Sequence, residues 1–188
     1  MTIDFSIKDM IKITLPDGAV REYEQGISAF DVAKSISEGL ARKVLAANIN
    51  GEVWDAHRPI EADASLKLLT WDDTDGKATF WHSSAHLMAE AVEAAFPGVK
   101  FWVGPAVEKG FYYDMDLGDK KITEDDLLQL EKKMNGLAKQ KNLFIRKPIT
   151  KADALKYFTE KADEYKYANG RTRVLINFGH QVQHTYCK

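Results

Sequence analysis

The segment Phe80-Trp81-His82-Ser83-Ser84-Ala85-His86-Leu87-Met88-Ala89-Glu90-Ala91 sets two histidines four residues apart, at the head of an apolar run that ends at Pro97-Gly98. On a helix of 3.6 residues per turn, positions i and i+4 share a face, so His82 and His86 present two imidazoles side by side. Three uses fit such a pair. It can ligate a metal, it can move protons or orient a substrate and a water near neutral pH, or it can sit hydrogen-bonded in a core without chemistry. The metalloprotease form of the first use is excluded, because that motif needs Glu directly after the first His and Ser83 stands there.

The elements around the pair follow from pattern. Gly104-Pro105 and Gly110-Phe111-Tyr112-Tyr113-Asp114 form a dense glycine and aromatic stretch that predicts short strands and turns beside the helix. Thr123, with Asp126 three residues on, begins a second helix whose apolar stripe is Leu127, Leu130, Met134 and Leu137. Phe144 to Lys147 predicts a strand, and Thr150 with Asp153 caps a third helix carrying Ala154, Leu155 and Phe158. Upstream, Ile11 to Leu15 alternates at strand period, Pro16-Asp17-Gly18 is a turn and Val20 to Tyr23 a return strand. Ser28 with Asp31 caps a helix that places Val32, Ala33, Ile36 and Leu40 on one face. Val44 to Ile49, the Asn50-Gly51 turn and Ser65 to Leu69 complete a strand, strand, helix, strand, strand order, which is that of a small β-grasp module. The polar run Asp72-Asp73-Thr74-Asp75-Gly76 predicts a turn or short linker.

Composition narrows the class. The chain has 188 residues, 45% of them hydrophobic, enough to fill two modest cores. No apolar stretch approaches the ~20 residues a membrane-spanning helix requires, and the N-terminus lacks the apolar core of a signal peptide. A single cysteine excludes an internal disulfide framework and fits a reducing cytoplasm. The formal charge is −2, so a nucleic-acid partner must be met by a local basic surface. Lys132-Lys133 with Lys139 and Lys141, and Arg146-Lys147, are the candidates, and each equally suits an ordinary solvated face.

The run from Phe80 to Asp116, with its His-x-x-x-His pair, Gly104-Pro105 and Gly110-Phe111-Tyr112-Tyr113-Asp114, resembles the editing domain of bacterial threonyl-tRNA synthetases. The β-grasp module ahead of it looks like the TGS domain that opens those enzymes, and the resemblance covers roughly residues 10 to 166. It implies an α+β architecture: an N-terminal extension (1–9), a TGS domain (10–71), a linker (72–79) and an editing domain (80–188) in which a long HxxxH helix packs on an antiparallel sheet. It implies hydrolysis of seryl-tRNA wrongly formed on threonine tRNA. His82 and His86 would bind the terminal ribose or position a water, and Lys166 would hold the amino acid or developing charge. The tRNA acceptor 3′ end is then the partner and the cytoplasm the location. No cofactor is implied for this chain, because the family's ATP and zinc belong to a catalytic domain expected downstream, as does its homodimer contact. On its own this piece is expected to be monomeric and not to aminoacylate.

After Tyr165-Lys166 the sequence departs from the family pattern. A Cys-Arg-Gly-Pro-His segment, whose Cys and His complete the editing pocket, is expected there; residues 167–188 contain none. Truncation or a shift of reading frame after Lys166 is the expectation, and with it stands the alternative of a non-catalytic fragment that binds tRNA or a protein. His180, His184 and Cys187 join His82 and His86 as a third possibility, a set of nitrogen and sulfur groups of the kind that zinc takes.

Overall fold

The computed structural model describes residues 9–142, 145–160, 173–178 and 181–187, so the expected extension lies almost wholly outside the described residues. The chain divides into two compact units after Phe80.

In the first unit, β1 (Met10–Thr14) and β2 (Val20–Glu24) form an antiparallel hairpin pairing Met10 with Glu24 and Thr14 with Val20. β3 (Ile27–Ser28) runs into α1 (Ala29–Ile36), where the Ser28 hydroxyl accepts the Asp31 N–H at 3.1 Å and donates to its carboxylate at 2.5 Å. The sequence predicts one helix reaching Leu40. Instead the backbone turns extended at Ser37 (φ −166°, ψ 147°), which caps a separate α2 (Glu38–Ala41) by accepting the Leu40 N–H at 3.0 Å. Val32 and Ala33 are buried as expected, but Ile36 beside the break is exposed.

β4 (Ala46–Ile49) and β5 (Glu52–Trp54) are joined through Asn50 and Gly51 at φ 51° and 90°, the left-handed pair that a two-residue hairpin requires. β6 (Pro59–Ile60) pairs with β3, and β7 (Ala64–Leu69) closes the unit. The main sheet runs β2-β1-β7-β4-β5 with β1 and β7 parallel. Ile11, Ile13, Val32, Ile49, Ile60 and Leu66 form its core. Burying each of these side chains contributes about 1.5–3 kcal/mol. This is a β-grasp fold.

Residues 74–79, expected as linker, are helical: α3 spans Thr74–Ala95. Asp73 is the cause. Its carboxylate accepts the Thr70 N–H at 2.9 Å and meets Lys67 Nζ at 2.7 Å, while its carbonyl accepts the Lys77 N–H at 3.0 Å. The polar run that reads as a turn is a helix start fastened to the end of β7. The Lys67 ammonium, helped by the Thr70 N–H, holds the Asp73 carboxyl below its ordinary range. Gly76 is buried, and a methyl group there would collide with the Thr70 carbonyl. It serves close packing, not a turn.

The second unit contains the rest of α3, then β8 (Lys100–Phe101), β9 (Ala106–Val107), β10 (Gly110–Phe111) and β11 (Met115–Asp116). α4 (Glu124–Gln140), β12 (Ile145–Ile149), α5 (Lys151–Glu160), β13 (Arg173–Phe178) and β14 (Gln181–Cys187) follow. The expected single antiparallel sheet is divided. β8 pairs β11 and β9 pairs β10 as short antiparallel ladders, while β12-β14-β13 is mixed, with β12 parallel to β14. Ala91 and Val92 of α3 pack with Phe101, Leu130 and Leu137. Leu127 was expected in that core, yet it is 56% exposed, because the buried contact of α4 starts one turn later at Leu130. Thr123 and Asp126 make a complete capping box, and the Asp153 N–H bonds Thr150 Oγ1 at 3.1 Å before α5. Among the described residues no helix is long and apolar enough to cross a membrane.

Two substitutions test these assignments. Gly76→Ala should destabilise the chain by about 1–3 kcal/mol through overpacking against Thr70, despite alanine's better helix propensity. Thr123→Ala should cost about 1 kcal/mol through the lost cap. Thermal unfolding followed by circular dichroism measures both, and an unchanged midpoint for Gly76→Ala would show that residues 74–79 are not held as a helix.

Candidate functional site

α3 carries both histidines, with the fully buried Ala85 between them. His86 is half-buried and His82 more open to solvent. The rings stand nearly perpendicular, at 89° with centroids 4.5 Å apart, and their Nε2 atoms are 3.1 Å apart. One ring therefore donates and the other accepts.

The segment after α3 supplies the surroundings. Phe101 pairs with Met115 across β8 and β11, and the ladder continues as the Trp102 N–H bonds the Asp114 carbonyl at 2.9 Å and the Asp114 N–H bonds the Val103 carbonyl at 2.8 Å. That register brings Gly104 against Tyr113. A side-chain carbon at Gly104 would stand 2.5 Å from Cδ2 and Cε2 of the Tyr113 ring, so only glycine admits this approach. Tyr113 lies edge-on to His86 at 6.5 Å and to Phe101 at 5.1 Å.

Desolvation by the surrounding protein pushes His82 below the ordinary imidazole range, and the nearby Gly104 backbone opposes this in part. The solvent-accessible face of His82 does not contradict that shift, since desolvation acts on the enclosed ring atoms while another side of the residue meets water. The group favoured near neutral pH is a neutral imidazole, an acceptor of protons.

Of the residues expected to do chemistry, His82 and His86 are brought together. Lys166 and His180 lie outside the described residues. His184 and Cys187 fall on β14, opposite Leu175 of β13 and Ile149 of β12 respectively. Among the described residues no group of three or more His, Cys, Asp and Glu side chains gathers as a metal site would. Gly104 and Tyr113 were legible as a motif but not as parts of the site. Their contact spans nine positions of loop and short strand, and no periodicity encodes it.

The sign of the His82 shift gives a prediction. A folded value below the unfolded one means that the unfolded chain binds more protons between the two. The associated stability is complete above the unfolded value and is lost as pH falls through the folded one. An NMR titration should find His82 titrating lower in the chain than in an unstructured peptide of residues 78–90; an equal or higher value would contradict the desolvated ring.

Comparison with known proteins agrees with this architecture. Residues 11–70 match the TGS domain. The chain is 64% identical over 157 residues to the threonine–tRNA ligase of Cytophaga hutchinsonii, covering 84% of this chain and 24% of that protein. The threonine–tRNA ligases of Porphyromonas gingivalis and Flavobacterium psychrophilum match at 58% and 49% identity over 158 residues, again with 84% and 24% of the two chains covered. The chain thus spans about a quarter, 24%, of the length of the curated relatives it matches. Residues 11–70 are a TGS domain, and through 84% of its length the chain is related to the threonine–tRNA ligases.

Proposed function

We propose that this chain is the N-terminal region of a threonine–tRNA ligase and that His82 and His86 hydrolyse seryl-tRNA wrongly formed on threonine tRNA. The observation that carries the reading is the imidazole pair, Nε2 to Nε2 at 3.1 Å, in a chain 64% identical over 157 residues to such a ligase. The physical need is plain. A pocket shaped for threonine cannot strongly refuse serine, which keeps the hydroxyl and lacks one methyl, a difference of about 1–3 kcal/mol. A second site that admits serine and is too small for threonine supplies the missing discrimination.

In that site a water attacks the ester carbonyl carbon and gives its proton to a neutral imidazole. The bond from the carbonyl carbon to the ribose oxygen then breaks, and the ribose oxygen takes up the proton from the imidazolium, releasing serine and the free tRNA 3′ end. The lowered affinity of His82 for protons keeps it in the form that can accept one. The tRNA acceptor end is the partner of this reading, and the cytoplasm is where charged tRNA is found.

The departure of residues 167–188 from the Cys-Arg-Gly-Pro-His pattern favours one competing reading, a fragment that binds tRNA without hydrolysing it. Deacylation of seryl-tRNA(Thr) beside threonyl-tRNA(Thr) separates them. Editing predicts selective loss of the seryl ester, reduced about 10²–10⁴-fold in His82→Ala and reduced in His86→Ala. Hydrolysis no faster than in His82→Ala, with tRNA still retained on a filter, would replace it with the binding reading.

A further inference from the structure

The two imidazoles are spaced to grip something larger than a hydrogen. Their Nε2 atoms stand 3.1 Å apart. A cation held about 2.0–2.1 Å from each, the ordinary zinc–imidazole distance, would see the two nitrogens about 100° apart, between the right angle of an octahedral site and the wider angle of a tetrahedral one. The spacing is built into the helix, because His82 and His86 lie one turn apart on α3 with their rings at 89°. Packing limits how far the pair can part. Ala85 beside them is fully buried, His86 is half-buried, and the Tyr113 ring stands edge-on to His86 at 6.5 Å. This restraint lowers the side-chain entropy that ligation would cost.

We infer that His82 and His86 form a two-point site for a divalent transition cation of the class that imidazole suits, zinc or nickel, with both Nε2 atoms as ligands. The ion replaces the hydrogen that the two nitrogens share. Whichever ring carries that hydrogen on Nε2 takes it onto Nδ1 instead, so both rings stay neutral and each offers one lone pair. Water fills the remaining positions: among the described residues no group of three or more His, Cys, Asp and Glu side chains gathers, and the solvent-open side of His82 admits a hydrated ion. The site is thus an open chelate and not the closed four-ligand site of a structural zinc. Magnesium and calcium, which take oxygen ligands, do not compete for it. If the editing reading holds, on which this consequence rests, the ion and the proton of the attacking water compete for the same lone pairs, and the cation inhibits deacylation.

Calorimetric titration of the metal-free full chain with zinc chloride and with nickel chloride, at about pH 7.5 where imidazoles are largely neutral, tests the site. One equivalent should bind, in excess magnesium as well as without it. That binding should be lost in His82→Gln and in His86→Gln and retained in His57→Gln and Cys187→Ser. Binding that survives either α3 substitution, loss in Cys187→Ser, or no binding of either ion at about 1 mM overturns the site. Should an α3 variant fail to fold, long-range 15N–1H spectra of the unsubstituted chain decide: with zinc, the ring signals of His82 and His86 move together while the remaining histidines hold still, and movement of one ring alone is the contrary result. No tRNA enters the titration, so a chain inactive in deacylation leaves the site standing. Undiminished deacylation of seryl-tRNA(Thr) by the zinc-loaded chain would overturn the inhibition.

Discussion

The site depends on a stretch of bare backbone. At Gly104 the second unit needs a residue with no side chain, because the Tyr113 ring occupies the volume where a side-chain carbon would sit. That need is met by a glycine held in register by the Trp102, Val103 and Asp114 backbone bonds. From there the contacts run outward: Gly104 to Tyr113, Tyr113 to Phe101 and His86, and His86 to His82. Phe101 belongs to the core formed with Val92, Leu130 and Leu137. The imidazole geometry is therefore tied to core packing, which resists small displacements more than a surface pair would.

Electrostatics and packing act together on His82. Enclosure of the ring lowers its proton affinity, and the nearby Gly104 backbone restores part of it. The result suits proton acceptance near neutral pH. The first unit uses charge differently. Lys67 and Asp73 form an ion pair at 2.7 Å, and its worth lies in fixing where α3 begins, since exposed pairs add little stability by themselves.

The sequence conveys this protein unevenly, and the reasons are physical. Capping signals were read correctly at Ser28, Thr123 and Thr150, because a side chain accepting an N–H two or three residues on is a local event. The Asn50-Gly51 hairpin was legible for the same reason. The turn expected at Asp72-Asp73 is present, but residues 74–79 are helix although Gly76 has the composition of a turn; only contacts with Lys67 and Thr70, several residues upstream, make a helix start there. The same holds for the break at Ser37, where a second cap interrupts an otherwise continuous apolar stripe, and for Leu127, whose phase fits the stripe although the core ends before reaching it.

By itself, then, the sequence determined the β-grasp order, the helical spacing that puts His82 and His86 on one face, and the kinship of residues 11–70 with TGS domains. Each of these is written in short-range pattern or in similarity carried along the chain. Tertiary structure alone decided that the two imidazoles touch through Nε2 and that Tyr113 fills the space a side chain at Gly104 would need. Such contacts arise from strand register and close packing, which depend on which surfaces meet and not on any local period.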